Sequence, residues 1–104
     1  MTDNSFELFI SDVPLHKKFY CHDGSTFKNL EELEQAFKKM SPETFSYHAN
    51  SEKNDFANWI YDVIGDITLS DSLRDVLDSK AAAKKLRARI TFIQKKIKNS
   101  SRKV

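Results

Sequence analysis

Cysteine and glycine are scarce in this chain, and each shortage closes off a class of function. Its 104 residues hold one cysteine, Cys21, so no disulfide can form within the molecule, and a reducing cytosol is the simplest home. Its two glycines, Gly24 and Gly65, cannot build a Gly-rich phosphate loop. No Ser/His/Asp set with a nucleophile elbow is present. No run of apolar residues approaches the roughly 18 that a membrane span needs. The opening Met1-Thr2-Asp3-Asn4-Ser5 lacks the basic start and apolar stretch of a secretory signal. A cytoplasmic location without a membrane partner is therefore expected. So short a chain also leaves little room for a deep substrate cleft, and neither catalysis nor a cofactor is expected.

Acid is missing from one whole segment. Residues 79–104 carry 10 Lys/Arg and no Asp or Glu, whereas residues 1–78 carry 7 Lys/Arg against 15 Asp/Glu. The net charge of +2 thus divides into −8 and +10. Such asymmetry speaks of partners and not of fold. The rest is an ordinary soluble balance: 39% hydrophobic, 31% charged, with eight Phe as bulky core material. Residues 1–99 read as one domain, because no repeat or low-complexity linker divides them, and residues 100–104 read as a frayed basic tail.

The expected fold is α-dominated (α+β), with a short N-terminal β-ribbon packed on a compact bundle of four to five helices. Phe6–Val13 partly alternates and is rich in strand formers, and Leu15–Tyr20 reads as a second strand, with Asp23-Gly24 as a turn before Ser25-Thr26-Phe27. Asn29 and Glu32 form a capping box for a helix with Leu30, Leu33, Phe37 and Met40 inside. Ser41-Pro42 starts a short helix to about His48. Phe56, Trp59, Ile60, Val63 and Ile64 share one helical face, which Gly65 ends. Thr68 and Asp71 are candidate caps for a further helix, and Ser79 for the last, which runs to about Asn99. Its seam is Ala82, Leu86, Ile90, Ile93 and Ile97, all within about 40° of Leu86 on a helical wheel.

The stretch His48-Ala49-Asn50-Ser51-Glu52-Lys53-Asn54-Asp55-Phe56, followed by Trp59-Ile60 and Asp62-Val63-Ile64-Gly65-Asp66, resembles the signature of a family of small domains of unknown function found in archaea and bacteria. Asn29-Leu30-Glu31-Glu32-Leu33 and Met40-Ser41 fit the same pattern. The resemblance covers residues 6–78. It implies a compact helical domain, used alone or beside other modules, and no known activity.

Two groups of residues are candidates for binding. His48, Asn50, Lys53, Asn54 and Asp55 cluster at a helix entrance, where backbone N–H groups favour anions. They suit a carboxylate or phosphate, which would make the chain a small anion-binding regulatory domain. They equally suit a cap at Asn54, a dipole partner at Asp55 and loop ties at His48 and Asn50, and this structural reading is preferred. The second group is the basic row Lys85, Arg89 and Lys96 with Phe92 among them. Lys84, Arg87, Lys95, Lys98 and Arg102 lie on the far side. These rows fit docking on an acidic surface of this chain or another, contact with a nucleic-acid backbone with a base stacked on Phe92, or simple solvation. Cys21-His22-Asp23 lacks an activating partner in sequence, and Cys21, His16, His22 and His48 have no recognised metal spacing. The preferred expectation is a non-catalytic binding or adaptor module for a protein partner or itself. A small nucleic-acid-binding protein is the alternative.

Overall fold

Side-chain caps set most of the architecture, which a computed structural model describes for residues 5–101. Helix α1 spans Ser5–Phe9, and strands β1 (Phe19–Tyr20) and β2 (Thr26–Phe27) follow. Helix α2 (Leu30–Lys39) starts at Asn29, whose side chain accepts the Glu32 N–H at 2.8 Å. Glu32 Oε1 reaches back to the Lys28 N–H at 2.9 Å, one residue beyond the usual capping-box partner. Ser41 accepts the Thr44 N–H and places Pro42 at the first position of α3 (Pro42–His48). Asn54 accepts the Ala57 N–H at 2.9 Å to open α4 (Asp55–Trp59). From there the chain widens into one π-helical turn, Ile60–Ile64. Gly65 closes it at φ +90°, giving its N–H to the Ile60 carbonyl at 2.7 Å.

Two caps differ from expectation by a residue or two. Helix α5 (Ile67–Leu73) is capped by Asp66, whose Oδ1 accepts the Leu69 N–H. Thr68 and Asp71 lie inside that helix and are exposed. Gly65 ends the preceding turn so abruptly that the first free N–H groups fall within reach of Asp66. Helix α6 (Ser79–Ser101) begins at Ser79, while Asp78 accepts the Ala81 N–H at 3.0 Å as its cap. It continues two residues past the expected end at Asn99, through Ser100 and Ser101. Arg102 and the remainder of the expected tail lie outside the described residues.

The N-terminal ribbon is smaller than expected. Phe6–Val13 forms no strand: α1 is helical because Phe6 and Phe9 then share a face against α6, with Phe6 meeting Phe92 edge-on at 6.0 Å between centroids. Leu15–Lys17 is one 3₁₀ turn, and only Phe19–Tyr20 is extended. β1 pairs antiparallel with β2, Phe19 opposite Phe27 and Tyr20 opposite Thr26.

The fold is therefore α-dominated, with six α-helices and one two-stranded sheet among the described residues. Phe19, Phe27, Phe37, Phe45, Phe56 and Trp59 meet at the centre of one core cluster. Trp59 is buried and gives its indole N–H to the Lys17 carbonyl at 2.8 Å. Ala82, Leu86, Ile90 and Ile93 seal α6 onto the body, whereas Ile97 is only partly buried and the residues around it are exposed. No helix among the described residues is long and apolar enough to cross a membrane.

Candidate functional site

The loop from His48 to Asp55 spends its polar groups on partners within the fold. His48 is buried; its Nε2 accepts the His22 backbone N–H at 2.9 Å and its Nδ1 meets Asp55 Oδ2 at 3.0 Å. Because Nε2 must accept, the proton sits on Nδ1 and is donated to the carboxylate. Lys53 Nζ reaches the same Asp55 oxygen at 3.0 Å. Burial raises the Asp55 pKa, but the hydrogen bonds from His48 and Lys53 and the Lys53 charge outweigh it and hold the carboxyl below its usual range. Asn50 accepts the N–H groups of Glu52 and Lys53 and donates to the Ser46 carbonyl. Asn54, besides capping α4, donates to the carbonyls of Leu73 and Arg74 at the end of α5. All five candidates are thus brought together, and each has an internal partner.

The basic row on α6 divides by residue type. Arg89 turns inward: Nε and Nη2 bond the two oxygens of Asp66 at 2.8 and 2.9 Å. Phe92, 42% exposed, leans on Phe6 and lies between the Arg89 guanidinium at 5.2 Å and Lys96 Nζ at 5.4 Å. Lys85 and Lys96 are exposed. On the other side, Arg87 also turns inward, bonding Glu31 and the buried Glu34. That hydrogen bond, aided by Arg87's charge and by Lys38 at 3.4 Å, holds Glu34 below its ordinary value despite burial. Among the described residues, Lys80, Lys84, Lys85 and Lys95 pair with no carboxylate and are exposed. The arginines hold the helix to the acidic body, and these lysines face outward.

Two features escaped the sequence. Glu34 lies inside the stripe Leu30, Leu33, Phe37 of α2, and an acid at such a position signals a buried pair. The second is a groove of about 740 Å³ between α2 and α6, lined by Glu34, Lys38, Lys80, Ala83, Lys84, Arg87 and Ala88. A lysine from α2 joins those of α6 there, which helix periodicity within one element cannot reveal.

Cys21 is buried, and burial pushes its thiol up from the usual value, away from the nucleophilic thiolate. Among the described residues no three His, Cys, Asp or Glu side chains are grouped to hold a metal ion. Protein-family models, curated proteins and solved structures give no match to this chain. Its function has to be read from the geometry.

Proposed function

We propose that this chain is a non-catalytic binding module that engages a protein partner, or a second copy of itself, through the lysine-bearing outer side of α6. The observation that carries the reading is the division of cations on that helix. Arg87 and Arg89 are spent on Glu31, Glu34 and Asp66, while Lys80, Lys84, Lys85 and Lys95 face outward on a helix with no acid. Exposed lysines at low pairing steer and orient acidic partners more than they stabilise the fold. The non-catalytic part is supported by the His48–Asp55 loop, whose polar groups are occupied by partners within the fold, and by the buried Cys21, whose thiol burial pushes up. Membership in the family whose signature spans His48 to Asp66 is part of the same proposal, with the signature serving to join loop, hairpin and α5.

Nucleic-acid binding is the second reading, favoured by the partly exposed ring of Phe92 between Arg89 and Lys96. The contact with Phe6 and the commitment of Arg89 to Asp66 weigh against it. An anion site at the His48–Asp55 loop has less support, since Asp55 already engages both His48 and Lys53. Photo-crosslinking mass spectrometry in the native cell, with photoreactive residues placed one at a time on each exposed face, in the wild type and in a variant with Lys80, Lys84, Lys85 and Lys95 changed to Gln, tests the proposal. Protein crosslinks to α6 that vanish in the variant are expected. Protein crosslinks confined to other faces, or kept in full by the variant, would defeat it.

A further inference from the structure

Cations from two helices converge in the groove between α2 and α6. Lys38, Lys80, Lys84 and Arg87 line its volume of about 740 Å³ against a single acid, Glu34. That acid is 1% exposed, and it is shared between Arg87 and Lys38. Glu31 pairs with Arg87 from outside the lining. Even with Glu31 counted, four cations face two acids. Lys80 and Lys84 are exposed and pair with no carboxylate among the described residues. They stand one helical turn apart on α6, about 6 Å along its axis. Lys38 stands on the opposite wall.

A concave wall of one sign focuses its field and draws anions. The rest of the lining is Ala83 and Ala88, with no aromatic ring to stack on and no amide or hydroxyl to read a hydrogen-bonding pattern. Charge and N–H donors are all that the groove can recognise with. Each lysine offers three donors. A terminal phosphate presents three acceptor oxygens and a charge near −2, against two oxygens and one charge for a carboxylate. Lysine serves phosphate as a point charge and needs no planar fork. A chain of phosphates therefore brings the most charge and the most acceptors in one compact group. A nucleic-acid strand carries a single charge on each phosphate and cannot concentrate it in this way. We infer that the α2–α6 groove binds a compact polyphosphate, either free or as the phosphate chain of a nucleotide, held by Lys38, Lys80 and Lys84. Lys80 and Lys84 also belong to the outward row of α6, so this ligand and a protein partner compete for them.

Isothermal titration calorimetry of the full chain at physiological salt, without magnesium, tests this with tripolyphosphate, ATP, orthophosphate and citrate. The chain is titrated alone, so the outcome is separate from that of the crosslinking. Tripolyphosphate and ATP should bind within about threefold of each other, and orthophosphate at least about tenfold more weakly. Lys80→Gln with Lys84→Gln should weaken tripolyphosphate about tenfold, and Lys38→Gln at least about twofold. Lys85→Gln with Lys95→Gln removes the same net charge outside the groove and should cost less than about twofold. Unchanged circular dichroism and thermal midpoints separate these losses from unfolding. No binding of tripolyphosphate tighter than about 1 mM would overturn the site. So would equal losses in the two lysine pairs, or no loss in Lys38→Gln, since either result means attraction to α6 at large. Citrate bound as tightly as tripolyphosphate would overturn the choice of phosphate. ATP bound far more tightly than tripolyphosphate would put recognition on the base, for which the groove has no group, and would also overturn it.

Discussion

Arg89 and Asp66 face each other through two parallel hydrogen bonds, with the carboxylate 1% exposed and simultaneously capping α5. One acid thus anchors the basic helix and starts its neighbour. Removing a single member of such a buried pair leaves the other charge without a partner. Asp66→Ala should cost about 3–5 kcal/mol, read as a lower denaturant midpoint. Lys85→Gln on the same helix should change stability by less than about 0.5 kcal/mol. A mild Asp66→Ala would show that Arg89 adds little to the hold on α6.

Trp59 sits in the core with its indole N–H on the Lys17 carbonyl, joining α4 to the 3₁₀ turn before β1. Trp59→Ala should destabilise by about 3–5 kcal/mol, and Trp59→Phe by less, since much of the packing is retained. Thermal unfolding of the two variants checks both the size and the order.

Gly65 tests backbone conformation apart from packing. A Cβ there would lie 3.9 Å from Phe9 Cε1, an ordinary contact, so space is available. The φ of +90° is what an L residue resists. Gly65→Ala should cost about 1–2 kcal/mol. A neutral substitution, measured by urea unfolding, would show that the π-helical turn closes without need of a glycine.

Acid should loosen two ion clusters. Asp55 and Glu34 both have folded pKa values below their ordinary ones. Each therefore contributes stability above the ordinary carboxylate range of about 4, and that stability is lost as pH falls through the lowered folded value. Unfolding free energy should fall from about pH 4 downward. In Glu34→Gln the fall should be shallower from a lower starting stability. An identical slope in the variant would contradict the assigned role of Arg87.

Local chemistry was the legible part of this chain. Asn29, Ser41 and Asn54 act on N–H groups three residues away, and all three read correctly. Gly65 did too, because a left-handed residue has few alternatives. Asp66 and Asp78 were missed in favour of Thr68, Asp71 and Ser79, since several acceptors crowd each helix start and only the exact end of the preceding element selects among them. Phe6–Val13 looked like a strand because short alternation fits both periods; its helical form follows from the tertiary contact of Phe6 with Phe92. The five loop candidates fell together in space as they do in sequence. Arg87 and Arg89, by contrast, look like surface cations on a helical wheel. Only Glu31, Glu34 and Asp66, from 23 to 56 residues away, decide otherwise.

On the proposed function, the lysines of α6 serve a protein and not a nucleic acid. Anisotropy titration of the full chain against single-stranded and duplex DNA and RNA, across a series of salt concentrations, measures this most directly. The account predicts no micromolar binding at physiological salt, and weak low-salt binding that Phe92→Ala leaves unchanged. Micromolar or tighter binding would contradict it if lost when Lys80, Lys84, Lys85 and Lys95 become Gln, with the log–log salt slope falling by about 0.7–0.9 per contact removed.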